Sequence, residues 1–578
     1  MNFMKTKNLI LVLGLIAFSI GNTFATNRIV AKSGGNYTTI QAGVNAAVAG
    51  DTVIVKAGTY NEMVTIPTSG TATQRITIKG ESGAIIDGTG LAFPTNGSPC
   101  GLIFMDSKSY VTIQGFQIMN AVDNSSSVFQ AGIFIVGSGT GVQILNNKVS
   151  NIVNSLADSG CHGIGIYGTS TTPMQNLLVD GNEVFNCQTG WSESMVLNGN
   201  INGFTVTNNI VHDNNNIGID FIGFEGTCSD AAQDQARNGT CTNNYVYNIN
   251  SYGNAAYGTD MSAAGIYVDG GRKIIIDRNS IYNCNIGVEV ASEHNNKVTD
   301  SVVVRDNFIS NCNVNGIAFG GYDTDRGWTI NCQFLNNTLY NNATDPTNGD
   351  GQIMMQKSHD NIIKNNIIHL GTQTGDAVTN WFSSSYTYNN VFDYNLYYST
   401  AGTAMTSFAW QNNWYQSFAE WKTATGYDTH SLFIDPKLVS TTDYHIQATS
   451  AAVNAGDPTF VPGTTEKDVD GQTRVSGSRV DIGADEIQTA AALIESMKAS
   501  DDITIAPNPL KSESLISFDN PQDKPYTLII TNMAGSVIER VTDITSNKIV
   551  LKKGNLSTGM YFVLLIGERS FKKVLIVQ

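Results

Sequence analysis

Three acidic residues fall at matching positions of one recurring motif, and that placement suits acid–base chemistry. The motif is a glycine followed by alternating residues: GIFIVG from Gly132, GIGIYG from Gly163, GIDFIG from Gly218, GIYVDG from Gly265, GVEVAS from Gly287 and GIAFGG from Gly316. The first and third residues after each glycine are Ile, Val or Phe, so they face a core. Side chains alternate across a strand, which turns the second and fourth positions outward. The second position carries Phe134, Gly165, Asp220, Tyr267, Glu289 and Ala318, and the fourth carries Val136, Tyr167, Ile222, Asp269, Ala291 and Gly320. Asp220, Asp269 and Glu289 are therefore expected on the outer face of three consecutive strands, with Tyr167 and Tyr267 beside them.

Strands about 4.8 Å apart with a rise of about 3.3 Å per residue would put Asp220 roughly 8 Å from Asp269, Asp269 roughly 8 Å from Glu289, and Asp220 roughly 10 Å from Glu289. Carboxylates this close repel, and one of them is expected to keep its proton. A protonated and an ionised carboxyl about 6.5–9.5 Å apart, with water between them, are what inverting cleavage of a glycosidic bond requires. That chemistry needs no cofactor. A second chemistry also fits, β-elimination on a uronate polymer. There Ca2+ held by Asp220, Asp269, Glu289 and Glu293 would neutralise the substrate carboxylate, and Lys273, His294 and Arg326 are candidate bases or carboxylate binders. A third reading has no chemistry: the acids decorate the solvated sheet of a glycan binder or adhesin. His294 is a candidate catalytic residue, although its place at a strand end would equally leave it simply exposed.

Long loops in a compact repeat tend to carry binding or catalytic work. The loops Glu225 to Asn238 and Ser251 to Met261 follow the acid-bearing strands and are the longest in the repeats. They are expected to wall a groove around the acids. Tyr167, Tyr257, Tyr267 and Tyr322 offer rings that could stack on sugars, with Lys273 and Arg326 as polar contacts. The expected partner is a polysaccharide, with uronate polymers among the options.

The elements that position these residues follow from a second repeat. An Asn, any residue, then a branched apolar residue recurs at Asn147, Asn182, Asn209, Asn244, Asn279, Asn307, Asn337, Asn366 and Asn395. Spacings of 27 to 35 residues make each unit too small to bury an apolar face alone, so units must stack. Asn at a repeated corner suits a tight turn, since it tolerates left-handed backbone and can bond to the next turn. The expected fold class is all-β: a right-handed single-stranded parallel β-helix followed by a small C-terminal β-sandwich.

The chain divides on this reading into five parts. Residues 1–25 carry Lys5 and Lys7, an apolar run from Leu9 to Gly21 and the small-residue site Thr23-Phe24-Ala25, which together read as a secretory signal. Residues 26–398 are the β-helix, opened by a short amphipathic helix over Thr38 to Ala47. Residues 399–489 hold the last coils and a closing segment. Its acids, Asp468, Asp470, Asp481, Asp485 and Glu486, suit turns and caps, or a bound calcium. Residues 490–502 are a linker, and 503–578 a set of alternating strands separated by turns.

Two resemblances sharpen this. The opening helix, the strand Thr52 to Lys56 and Ala57-Gly58-Thr59-Tyr60 resemble the capped first coil of the pectate-lyase-like β-helix superfamily, and of its family 9 pectate lyases in particular. The acid cluster is similar in kind to that of polygalacturonase-like hydrolases. Their full sequence pattern is absent, however, and no Lys occupies the outward columns where a pectate lyase would need one, so no residue role carries over. The order Pro507-Asn508-Pro509, a central Met533-Ala534-Gly535 turn, Leu556-Ser557-Thr558-Gly559-Met560-Tyr561 and a basic–apolar last strand resembles the C-terminal sorting domain of the type IX secretion system. It implies passage through that machinery to a secreted or surface-attached state.

Composition agrees. A net charge of −16 argues against nucleic acid and anionic membrane surfaces, both of which need basic patches. No segment after the signal reads as a transmembrane span, and a monomer is expected. Of eight cysteines, Cys228 and Cys241 flank a polar loop and are candidates for a disulfide. Cys187, Cys284, Cys312 and Cys332 lie near the Asn turns and are expected to be buried.

Overall fold

The computed structural model describes residues 25–488 and 503–578, apart from residues 348, 373–374, 403–405, 522, 533–536, 555 and 568–569. Nearly all of the signal, the whole linker and the Met533-Ala534-Gly535 turn lie outside the described residues.

Strands of two to eight residues coil into a right-handed helix with three parallel sheets. One turn shows the path. Ile219–Ile222 lies in what we call the second sheet, Ala236–Thr242 in the first, Tyr245–Ile249 in the third, and the chain returns to the second sheet at Ala264–Asp269. Each strand pairs in parallel with its counterpart one coil away, as Asp220 does with Tyr267 and Tyr267 with Glu289. Inward Val, Ile, Leu and Phe side chains from all three sheets merge into one continuous core.

The Asn repeat marks the corner between the first and third sheets, and its role is more specific than turn propensity. The nine Asn side chains are stacked along the coil axis. Asn147 donates through Nδ2 to Asn182 Oδ1 at 3.1 Å, Asn182 to Asn209 at 3.0 Å, Asn209 to Asn244 at 2.9 Å, and so on to Asn395. From Asn182 on, each Oδ1 also accepts the backbone N–H of the Asn one coil earlier, and Asn147 Oδ1 accepts that of Phe116. The left-handed backbone falls one residue earlier, at Asn146, Gly181, Asn208, Asn243, Arg278, Asp306, Asn336, Asn365 and Tyr394. The preceding residue makes the bend, and the ladder Asn fills the hydrogen bonds the bend opens.

The ends are closed. Helix Ile40–Ala46, capped by Thr39 Oγ1 accepting from Ala42 N, covers the first coil and buries Ile40 and Val44. At the other end Thr406–Trp410 extends the second sheet, Asn413–Tyr415 pairs antiparallel to it, and helix Phe418–Thr425 buries Trp421 against Phe408. The closing segment folds back onto earlier coils. Arg474 is buried against Asp306 at 3.1 Å and Glu486 at 3.6 Å, and Arg305 meets Glu466 at 2.6 Å. The C-terminal unit has a three-stranded and a four-stranded antiparallel sheet around its own core, which includes Ile516, Ile530 and Val563.

The disulfide expected between Cys228 and Cys241 is corrected: all eight cysteines are free and buried. Cys241 lies on an inward position of Ala236–Thr242, inside the coil core. Cys228 lies in the preceding loop, its Sγ against Ser170 O at 3.4 Å. A core-facing thiol and a loop thiol turned to another coil do not meet.

Candidate active site

The outward column of the second sheet runs, strand by strand, through Phe134, Gly165, Val196, Asp220, Tyr267, Glu289, Ala318, Met354, Thr379 and Ala409. Asp220 and Glu289 thus share one column with Tyr267 between them. Asp269 stands two residues further along the Tyr267 strand. A cleft of about 900 Å³ opens over these residues, within the usual range for a ligand site. Its lining includes Asp220, Asp269, Glu289, Glu293, Tyr167, Tyr267 and Tyr322. The loops after the acid-bearing strands contribute Glu225, Tyr257 and Asp260.

The acids do not share one electrostatic state. Asp220 is buried, and its Oδ1 has no hydrogen-bond partner. Burial, then the charges of Glu193 and Asp269, holds its carboxyl well above the usual range. Asp269 is raised by burial and then by Glu293, although its Oδ1 accepts the Glu293 backbone N–H at 2.8 Å. Burial, with Glu293 second, pushes Glu289 up to about 8. Glu293 is itself raised by burial, but the Tyr267 hydroxyl donates to its Oε1 at 3.2 Å, and the Arg326 charge opposes the rise. After burial, Glu293 is the largest cause of the rise at Asp269, Glu289 and Tyr267. Burial thus favours the neutral form at Asp220, Asp269 and Glu289, whereas at Glu293 the Tyr267 hydroxyl and the Arg326 charge work against it.

The walls are aromatic. Trp191 is 52% exposed and packs edge-on against Tyr257 at 5.4 Å. Tyr167 is held from behind by the fully buried His162, whose Nε2 lies 2.9 Å from the Tyr167 hydroxyl and whose Nδ1 lies 3.0 Å from Glu193 O. A carbonyl can only accept, so Nδ1 carries the proton and Nε2 accepts from Tyr167. Burial lowers His162 to about 4, which keeps the ring neutral.

The other residues singled out from the sequence sit differently. His294 stands at the rim, its Nε2 3.1 Å from Glu225 Oε1. Arg326 lies over the Tyr322 ring at 4.6 Å and donates to Glu293 O at 3.2 Å, so it braces the wall. Lys273 is corrected as a site residue. It is exposed on Arg272–Asp277, a first-sheet strand, because the turn at Gly270-Gly271 carries the chain off the second sheet before Lys273 is reached. Among the described residues lining the cleft there is no Lys or Arg. The ligand atoms that gather within 4.8 Å of one another here are those of Glu225, Asp269 and His294, a set that shares only Asp269 with the four acids expected to hold a cation.

Sequence reasoning missed Glu193, Trp191, Asn198 and Asp260. The first three belong to the coil of Met195–Gly199, which pairs between His162–Gly168 and Ile219–Ile222 but has no leading glycine. The alternation Met195, Leu197 inward and Val196, Asn198 outward was the signal available for it.

Residues 258–416 match the family model described as right handed beta helix region, and residues 504–578 match the secretion system C-terminal sorting domain. The chain is 36% identical over 412 residues to the uncharacterized protein YwoF of Bacillus subtilis (strain 168), spanning 71% of this chain and 86% of that protein. It is similar to the solved structure of an alginate lyase from Paenibacillus sp. str. FPU-7, with TM-score 0.37 and 14% identity over 53% of this chain and 95% of that one. It is similar also to the Azotobacter vinelandii mannuronan C-5 epimerase AlgE6 A-module, with TM-score 0.42 and 15% identity over 68% of this chain and 93% of that one. A Yersinia enterocolitica family 28 exopolygalacturonase gives TM-score 0.35 and 13% identity over 67% and 78%. These identities speak to the fold alone. The sorting domain marks the chain for secretion or attachment at the cell surface.

Proposed function

The chain belongs to the same family as YwoF of Bacillus subtilis, and from that premise we propose that its cleft hydrolyses a polysaccharide with inversion at the anomeric carbon. The observation that carries this reading is Asp220 Oδ1, a buried carboxyl oxygen without a partner, in a cleft where a different carboxyl, Glu293, has a hydroxyl donor and a nearby guanidinium that favour its ionised form. Asp220, held neutral, donates its proton to the glycosidic oxygen as the bond to the anomeric carbon breaks. Glu293, oriented by Tyr267 and paired through its backbone with Asp269, takes the proton of the attacking water. Splitting the two carboxyls into an acid and a base is what environment-driven pKa separation accomplishes. The aromatic walls supply apolar faces for sugar rings, and a cleft lined by acids favours an uncharged glycan over a polyuronate.

A second reading rests on the Glu225, Asp269 and His294 grouping. A divalent cation there would be held by two carboxylates and an imidazole, and its chemistry would be to offset a uronate carboxylate during β-elimination. The test is one assay on xylan, glucomannan, galactan, alginate and polygalacturonate, with and without EDTA, following reducing ends and ultraviolet absorbance together. Reducing ends without a rise in absorbance, unaffected by EDTA and abolished in Asp220→Asn, support hydrolysis. An EDTA-sensitive rise in absorbance replaces it with the lyase. Neither signal sinks both.

A further inference from the structure

The outward column that holds Asp220 and Glu289 does not end where the acids end. Past Glu289 it continues through Ala318, Met354, Thr379 and Ala409, and Ala409 pairs antiparallel with Trp414. Directly opposed residues of an antiparallel pair present their side chains on the same face. Trp414 therefore stands at the far end of the column that carries the acids, five inter-strand steps beyond Glu289, or about 24 Å.

Trp414 is 61% exposed, and Trp381, 39% exposed, packs edge-on against it at 5.3 Å. Neither ring is free to swing. Trp414 Nε1 donates to Asp376 Oδ1 at 3.3 Å and Trp381 Nε1 donates to Asp350 Oδ1 at 3.2 Å. The polar edge of each indole is tied down while much of the ring meets solvent. A Trp that served only to close the coil would bury its ring, as Trp421 does at the same end. Large rigid aromatics with satisfied polar edges and open faces are what a ligand with apolar faces and polar rims needs. The cleft already reaches toward the pair: Met354 and Gln356, two strands past Glu289, line it. Trp191 lies on its opposite flank, so exposed tryptophans lie on both sides of the acids.

We propose that the acid cleft is one stretch of a longer glycan-binding track along the second sheet, and that Trp381 and Trp414, positioned by Asp350 and Asp376, form a distal sugar-stacking subsite on it. The ligand is then an extended polysaccharide lying along the coil axis, long enough to reach from the acids to the tryptophans, and not a short oligosaccharide. The inference rests on the cleft of the proposed hydrolase but not on its reaction.

Binding without turnover tests it. The full chain is run in native gels cast with xylan, glucomannan, galactan, alginate or polygalacturonate, alongside Trp381→Ala/Trp414→Ala, the single variants Trp381→Phe and Trp414→Phe, and Asp220→Asn. At least one glycan is expected to retard the wild type and Asp220→Asn alike. The double Ala variant should bind it about tenfold more weakly or worse, the scale of losing two aromatic anchors. The Phe variants keep a ring and so the fold. Each should retain most of the retardation while removing part of the glycan-induced change in tryptophan fluorescence. Retention unchanged in the double variant, fluorescence unaffected by a glycan that is bound, or no retardation of the wild type by any glycan would overturn the subsite. A protein that binds through the tryptophans but cleaves nothing would sink the hydrolase and leave the track standing.

Discussion

Asp220 and Glu289 stand in one register column with the single strand of Tyr267 between them. That places their backbones about 10 Å apart. Of the two, Asp220 is the more deeply buried and has the unpartnered oxygen, which suits it to the proton-donor role in the proposed reaction, with Glu293 as the base.

Asp220→Asn is expected to lower kcat about 10²–10⁴-fold on a natural polysaccharide, the usual worth of general acid catalysis. An aryl glycoside with a good leaving group needs little protonation, so its turnover should fall far less. Stability at neutral pH should not drop, because Asn reproduces the neutral carboxyl in shape and charge. Equal losses on both substrates would remove Asp220 from the donor role.

Glu289 gives stability a defined pH slope. Its ordinary value is 4.5 and burial, assisted by Glu293, raises it to about 8 in the fold. The folded state thus binds a proton that the unfolded state has lost between those values, so stability falls as pH rises from about 4.5 to about 8. Melting temperature should decline across that window, and Glu289→Gln should flatten the decline and raise the melting temperature at pH 8. The energy involved is on the order of a few kcal/mol. A slope unchanged by the substitution would show that Glu289 ionises normally.

The column Asp220, Tyr267, Glu289 was legible because three Gly-led segments can be laid over one another and the pleat fixes which side faces out. The same argument could not see Glu193 or Trp191. Their coil lacks the glycine, and the Trp191 turn has no periodic mark. Lys273 was misplaced for the opposite reason, since proximity to Asp269 in sequence says nothing about the sheet change at Gly270-Gly271. The Asn repeat was legible as a corner. That its amides are stacked and buried, with the left-handed bend one residue upstream, depends on the coil-to-coil register, which local propensity does not encode.

Asn244 tests that ladder. Its Oδ1 accepts Asn209 N at 3.0 Å and Asn209 Nδ2 at 2.9 Å, and its Nδ2 donates to Asn279 Oδ1 at 3.0 Å. Asn244→Ala strands the Asn209 donors inside the coil, and a loss of roughly 2–4 kcal/mol in unfolding free energy is expected. Denaturant titration should show the drop. Asn248→Ala, at an exposed left-handed position of the same coil, should cost much less.

The buried free thiols predict indifference to reductant. Dithiothreitol should leave the melting temperature unchanged, and a thiol reagent should modify the native protein slowly but all eight cysteines after unfolding. A melting temperature that falls on reduction would restore the bridge between Cys228 and Cys241.

Salt separates charged from uncharged substrates. The cleft gathers Glu193, Asp220, Glu225, Asp269, Glu289 and Glu293, with no Lys or Arg among its described lining residues. An approaching polyuronate meets like charge, and the repulsion weakens as the Debye length shrinks from about 30 Å at 0.01 M salt to about 8 Å at 0.15 M. On alginate or polygalacturonate, kcat/KM should therefore rise with added NaCl. On a neutral glycan such as xylan or galactan the attraction comes from ring stacking and hydrogen bonds, and kcat/KM should change little over the same range. A fall with salt on the polyuronate would mean that the cleft attracts anions, which the Glu225, Asp269 and His294 grouping could do only with a cation bound. That outcome would move the assignment from hydrolase to lyase.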